Sequence, residues 1–517
     1  GTPSETTSQP TERPRSGQDA FTCTARRPPS PQANETMPLS LARASAPLPL
    51  LLLLLAASSL RVAARLTELH SDQIGETPPI PNALPCEKPV SKAPVVFPDE
   101  LLLVPKAKQS FDMYSGYVNV TSQDYLFYWL AEKNPDFPSE SFMKFQPPTS
   151  SGAASRGPRS DDDIPLVIWS NGGPGCSAME GASTEHGPYI AFDVKENKDM
   201  FNGKLTANPY AWNKLAHVLY VDQPRYVGFS TGTGEYVTSS VDAGKDMVTF
   251  ILEWRKMFPE HAKRPIIVAA ESYGGHYAPA WTGAIMDYND ATSNPADRIP
   301  LAGVLIGDGI VNGTVQNTDT FVAFQKSQGL IPQDAQPKST GEARSMMADY
   351  LGYTPNYYDY RVIDLECCGC TSYNYKTWTD FLISAPVTAA LNICGDAGEN
   401  AFGGCSGGCI SLPHFDRGDT FDYSGALTRA LERGIKVSLY YGMQDTACDY
   451  AGGYALAKSL EWSGQEAFNA APLVELPFGG GQTQAADGLT WIQVEGAGHM
   501  VPINEGVGGL YALGTLV

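Results

Sequence analysis

Basic residues are scarce in this chain: 36 lysines and arginines stand against 56 aspartates and glutamates, a formal net charge of −20. A nucleic-acid partner calls for a basic patch, so that class of function is excluded. The first 65 residues hold seven arginines and four acids, which leaves the remainder more acidic still, at about −23. Such a surplus of carboxylates suits an acidic compartment, where protonation relieves their mutual repulsion. Histidine is rarer, seven residues in all, and few of them accompany the cysteines, so no metal and no other cofactor is expected. Internal repeats are absent. The apolar run at 48–57 is about ten residues long, short of the roughly 18 needed to cross a bilayer, so no stable membrane span is expected.

What the chain does have is length and apolar content. With 517 residues, 42% of them hydrophobic, it can bury a large core, and a single α/β domain with an insertion uses that length comfortably. Four short stretches, far apart, each hold one part of a serine hydrolase: Asn171-Gly172-Gly173-Pro174-Gly175-Cys176, Ala270-Glu271-Ser272-Tyr273-Gly274-Gly275, Asp445-Thr446-Ala447-Cys448 and Gly496-Ala497-Gly498-His499. A serine hydroxyl is a poor nucleophile until an imidazole takes its proton, and the imidazole needs a buried carboxylate to fix its tautomer. Ser272, Asp445 and His499 come in the order nucleophile, acid, histidine that an α/β-hydrolase uses. A loose small-x-Ser-x-Gly match arises easily by chance in a Gly-rich chain. Here, however, an apolar strand at 264–269 precedes Ser272, another at 436–441 precedes Asp445, and a third at 491–494 precedes His499. Reacting groups in open α/β sheets collect at the carboxyl ends of strands, so three candidates placed there independently support one site. His276, four residues along the same helix from Ser272, is carried away from the turn and reads as structural. Asp222 and Asp308, which also follow apolar strands, read as turn or strand-end caps.

The four stretches resemble those of the serine carboxypeptidases, exopeptidases with an α/β-hydrolase fold found in lysosomes, vacuoles and secretions. The resemblance runs from about Phe111 to Pro502 and includes Met113-Tyr114-Ser115-Gly116-Tyr117-Val118, Asp222-Gln223-Pro224 and Gly228-Phe229-Ser230. It implies that Gly173 and Tyr273 offer backbone N–H groups to the oxyanion, donors worth about 3 to 4 kcal/mol each. It further implies that Asn171, Glu185 and Glu271 bind the substrate's free carboxyl terminus. From the residues alone, the alternative for Glu271 is a solvated residue of the turn, and a non-functional role is also open to Glu185. The resemblance also places a non-bridged cysteine at Cys448, near where the substrate side chain binds. Two segments depart from the family pattern. Arg225-Tyr226-Val227 replaces smaller residues, and this bulky pair could narrow the site; Gly442-Met443-Gln444-Asp445 lacks the Gly-Asp that often opens the acid's loop.

The expected fold is therefore an α/β-hydrolase with a mostly parallel central sheet, helices on both faces and an inserted cap. Residues 1–36 read as a non-structured leader or upstream sequence, 37–64 as a signal peptide and 65–110 as an amino-terminal extension. The hydrolase core then occupies 111–311 and 426–517, with a cysteine-rich cap at 312–425. Ten cysteines in a chain with a signal point to disulfides. Cys23 falls outside the mature chain; Cys86, Cys176, Cys367, Cys368, Cys370, Cys394, Cys405 and Cys409 suffice for four bridges, and Cys448 is left as a free thiol. Asn119 and Asn312 head glycosylation sequons. The reading is a serine carboxypeptidase of the secretory pathway, either lysosomal or vacuolar or extracellular, acting at acid pH on peptides and proteins with a free carboxyl terminus. An acyltransferase of the same family, or a non-catalytic stabilising partner of other hydrolases, are the rivals; the sequence does not give the oligomeric state.

Overall fold

The computed structural model of the protein describes residues 89–103, 110–137, 161–191, 204–362, 376–395 and 422–517, with 397, 398, 402, 409, 410, 412, 415 and 419. The expected leader, the signal peptide and most of the amino-terminal extension lie outside these residues, as do Cys23, Cys86, Cys367, Cys368, Cys370 and Cys405.

Nine strands dominate: β1 (Met113–Asn119), β2 (Asp124–Ala131), β3 (Leu166–Ser170), β4 (His217–Val221), β5 (Ile266–Glu271), β6 (Leu301–Gly307), β7 (Lys436–Gly442), β8 (Gly481–Ala486) and β9 (Leu489–Val494). They lie in the order β1-β2-β4-β3-β5-β6-β7-β9-β8, within one sheet that short edge strands at Ala93–Pro94 and Val474–Glu475 extend. The strands from β4 to β9 in that order are parallel, and the outer ones pair antiparallel. Strands with both faces covered read as continuous apolar runs, and these do. Along β3 and β5 the side chains alternate between two cores: Val167, Trp169, Ile267 and Ala269 enter one, Leu166, Ile168, Ile266, Val268 and Ala270 the other.

Helices cover both faces. On one, α1 (Ser240–Met257) and α2 (Gly274–Ala291) lie together. Ser239 caps α1 by accepting from the Asp242 N–H, and the stripe Met247, Ile251 and Trp254, continued by Phe258, is buried as its helical spacing predicts. Between β6 and β7 come α3 (Thr318–Ser327), α4 (Thr340–Leu351), α5 (Lys376–Leu382), α6 (Ala385–Ala390) and α7 (Ser424–Glu432). The first two of these close a small core of their own around Phe321, Phe324, Ala343 and Met347. Trp378, Phe381 and Leu382, by contrast, join the main core. The chain steps outward from β3 to β4 and then returns to lay β5 on the other side of β3. That reversal opens a crevice at the carboxyl ends of β3 and β5, the place where open α/β sheets hold ligands. Among the described residues no helix is long and apolar enough to cross a membrane.

Candidate active site

Ser272 stands at that crevice, at the turn from β5 into α2, with φ 62°. A non-glycine residue rarely adopts this left-handed backbone, and here several bonds impose it. The Ser272 N–H donates to Gly307 O (3.0 Å), while its carbonyl accepts from Gly275 N–H (2.9 Å) and Ile310 N–H (3.0 Å). The turn closes tightly enough to exclude side chains around it. A Cβ on Gly274 would lie 2.5 Å from the Ala270 methyl, and one on Gly275 would lie 2.3 Å from Ile310 O. The position usually held by the motif's first glycine accepts Ala270, whose methyl is buried in the sheet core.

Asp445 follows β7 and is fully buried. Its Oδ1 accepts from Ala447 N–H (2.6 Å), and its Oδ2 accepts from Cys448 N–H (3.0 Å) and faces His499 Nδ1 at 2.7 Å. The loops bearing the two residues touch so closely that a Cβ on Gly442 would lie 2.0 Å from Gly498 O. With Nδ1 bound to the carboxylate, the imidazole keeps its proton there and presents Nε2 as the acceptor. That nitrogen is buried and has no hydrogen-bond partner among the described residues. His276 lies elsewhere: its Nδ1 is 3.5 Å from Asp419, and its ring sits between Tyr273 and Tyr423.

The stretch after β3 lies against the serine turn, since a Cβ on Gly172 would come within 2.4 Å of Tyr273 N. Gly173 (φ 109°) follows directly on Gly172, and Tyr273 precedes the first residue of α2. Tyr273 is anchored at its far end by its hydroxyl, which donates to Asp419 (2.7 Å). Beside them, Asn171 Nδ2 donates to Glu185 Oε1 (3.1 Å) and Glu271 Oε1 (3.3 Å). The amide cannot flip, because its Oδ1 already accepts from Trp169 Nε1–H (2.8 Å) and Gly181 N–H (3.0 Å). Burial raises the pKa of both glutamates, Glu185 to about 7 and Glu271 well above its ordinary value, where the Glu185 charge pushes it further. The two carboxyl groups are also hydrogen-bonded to each other, which favours a proton held between them. The Cys448 thiol is free and buried, and its sulfur and one ligand atom each of Asp445 and His499 lie within 4.8 Å of one another.

Other expected features fall as follows. Cys176 is bridged to Cys409, and Cys394 is also disulfide-bonded. Arg225 and Tyr226 spend their polar groups on Asp246 (2.7 and 2.8 Å) and Asp124 (3.2 and 2.7 Å), which accounts for this departure from the family pattern by a separate buried network. Asp222 accepts from Ser177 Oγ, Ala178 N–H and Phe229 N–H and so pins the turns around it. Asp308 accepts from Gly442 N–H (2.8 Å). Asn119 is exposed, whereas Asn312 is buried and its Oδ1 caps the Thr314 and Val315 N–H groups.

Sequence reasoning missed Tyr358. This residue of the insertion accepts the His499 N–H on its carbonyl (2.7 Å) and stacks its ring on the imidazole at 4.4 Å and 27°. Its neighbours hold the acid's loop: Tyr357 O accepts from Thr446 N–H (2.9 Å), and Tyr360 N–H donates to Gln444 O (3.2 Å). The aromatic run Tyr357-Tyr358-Asp359-Tyr360 was the available signal.

Comparison with known proteins adds three findings. A family model described as serine carboxypeptidase matches residues 105–351 and 347–511. Proteins named carboxypeptidase Y homolog A are 31% identical over 438 residues in Sclerotinia sclerotiorum (78% of this chain, 71% of that protein) and 30% identical over 431 residues in Botryotinia fuckeliana (76% and 70%). The solved structure of Kex1(Δ)p, a prohormone-processing carboxypeptidase from Saccharomyces cerevisiae, covers 81% of this chain and 95% of its own with a TM-score of 0.61; at 22% identity it speaks to the fold.

Proposed function

Because this chain belongs to the serine carboxypeptidase family and is a serine-type carboxypeptidase, we propose that it releases the terminal residue of peptides through an acyl-enzyme on Ser272. Ser272 Oγ attacks the last peptide carbonyl while its proton passes to His499 Nε2, and Asp445 stabilises the resulting imidazolium. Gly173 and Tyr273 N–H groups receive the developing oxyanion. The imidazolium then gives its proton to the departing amine, freeing the terminal amino acid. Water, deprotonated by the same nitrogen, cleaves the ester and restores the serine. The observation that most supports this reading is the orientation of His499, fixed on one nitrogen by Asp445 and unpartnered on the other.

Selection for a free terminus rests on Asn171, Glu185 and Glu271. A substrate carboxylate placed beside this pair makes three carboxyl groups, which cannot all be ionised, so binding retains the protons already favoured there. Affinity should therefore fall as pH rises through the raised pKa of the pair. The test is a blocked dipeptide series between pH 4.5 and 8. Free-acid substrates should show KM rising with pH and release of the terminal amino acid, while amidated substrates should show a flatter KM. A flat KM for free acids, or labelling of a serine other than Ser272 by an organofluorophosphate, would overturn the assignment. A secretory route to a vacuolar, lysosomal or extracellular destination belongs to the same reading, supported by the signal-like segment at 37–64 and by the Cys176–Cys409 bridge.

A further inference from the structure

At the opposite end of the parallel strands, away from Ser272, three side chains converge that the catalytic reading leaves unused. Glu132 follows the last residue of β2, His217 opens β4, and His261 lies in a 3₁₀ turn after α1. One ligand atom of each comes within 4.8 Å of the other two. His217 Nδ1 is in close contact with Glu132 Oε2, and His261 Nε2 lies 3.0 Å from Glu132 Oε1. Each backbone is pinned independently: Glu132 N–H donates to Asp112 O (2.9 Å), His217 N–H to Pro165 O (3.0 Å) and His261 N–H to Phe258 O (3.0 Å).

The Lys133 N–H points at His217 Nδ1 (3.2 Å), so a lone pair of that nitrogen is directed toward a donor while the same atom also meets a carboxylate oxygen. The Glu132 carboxylate thus holds both imidazoles by hydrogen bonds, which brings three side chains of metal-ligand type to one point. We propose that Glu132, His217 and His261 form a binding site for a divalent transition cation of the zinc type. Two imidazoles and one carboxylate are a donor set that such ions favour, and coordination would need the ligand atoms to settle roughly 3.3 Å apart, so the two contacts to Glu132 would lengthen slightly to admit the ion. The imidazole side chains are 1% and 8% exposed, and the Glu132 side chain at 19% leaves a path for entry and for a water as fourth ligand. The site lies beyond reach of the triad, because His217 pairs with Leu166 at the start of β3 whereas Asn171 follows that strand's end. The ion would therefore staple β2, β4 and the segment after α1, and take no part in peptide hydrolysis. Two features cap its affinity. Arg264 places a like charge near His217, and the outward nitrogens His217 Nε2 and His261 Nδ1 have no acceptor among the described residues. Each missing outer partner costs about 10- to 100-fold, which puts the dissociation constant in the micromolar range.

The test uses the full mature protein, stripped with a chelator, in a Cys448→Ser background so that the second cluster near His499 does not contribute its thiol. Zn²⁺ and Co²⁺ are titrated by calorimetry at pH 7.5, and Co²⁺ is followed by its visible absorption. One equivalent should bind, with Co²⁺ giving the intense bands of low coordination and Zn²⁺ raising the thermal midpoint. His217→Gln with His261→Gln should weaken binding at least tenfold while the metal-free activity of the parent is kept. Glu132→Gln, which preserves shape, makes the same test should the double variant fail to fold. Absence of binding in the parent, or equal binding in parent and variants, overturns the site.

Discussion

Carboxyl groups wholly or partly withdrawn from water occur at both ends of the sheet, and their pKa values shift in opposite directions. Glu185 and Glu271, at the catalytic end, are raised by burial and have a neutral amide, Asn171, between them. Glu132, at the other end, is also pushed upward by burial, yet hydrogen bonds from His217 and His261 outweigh this and bring it down to about 2. Desolvation acts with the same sign at both places, so the partner decides the outcome. A single amide does not offset burial, so the protonated form of the catalytic pair is favoured; hydrogen bonds from two imidazoles do offset it, so the charged form of the remote glutamate is favoured. A pocket without a cation can accept a third carboxylate only with the help of protons.

That contrast can be broken most violently at the catalytic end. Ser272→Ala or His499→Ala is expected to lower turnover about 10⁴- to 10⁶-fold, with thermal unfolding nearly unchanged, because members of such a unit fail together. Activity assays paired with unfolding curves check this, and retained activity in His499→Ala combined with loss in His276→Ala would reverse the histidine assignment. A smaller effect is expected from Tyr358→Ala. Removing the ring that stacks on His499 should cost about 10- to 100-fold in kcat with little change in KM, whereas Tyr358→Phe, which keeps the stack, should restore most of it.

The contrast is sharpened by changing the protonation itself. A carboxyl group whose pKa is raised in the fold binds its proton more tightly there than in the unfolded chain. Its stabilising contribution is then full below the ordinary 4.5 and declines as pH rises toward about 7. Glu185→Gln should remove this slope, so that the variant's thermal midpoint varies less between pH 4.5 and 7 than the parent's; a steeper variant would contradict it. The smallest expected change belongs to Cys448→Ser, which should abolish inhibition by a bulky mercurial while most activity persists, since the thiol is buried beside the triad and is not the nucleophile.

The catalytic end was the more legible one in the sequence, for a physical reason. The turn at Ser272, the loop after β3 and the loops after β7 and β9 are local problems, each solved by a few small or polar residues next to an apolar strand. Such solutions leave contiguous motifs. The apolar stripe of α1 was readable for the same reason, its period being set by the helix alone. Tyr358 was not, since it meets His499 across 141 positions and the insertion that delivers it has no period of its own. Glu132, His217 and His261 belong to three separate elements, and only the antiparallel pairing of β2 with β4 brings the first two together.

The bridge between Cys176 and Cys409 gives the oxyanion loop a history. Cys176 lies three residues beyond Gly173, and Ile410, next to Cys409, donates its N–H to Gly175 O (2.9 Å). The loop proposed to receive the oxyanion is thus tethered to a segment 233 residues away by a bond that only an oxidising environment forms. Material produced in a reducing cytosol would have the same sequence and the same triad, with that tether missing. The yield of active enzyme from any expression host is then a measure of the redox conditions in which its chain was folded.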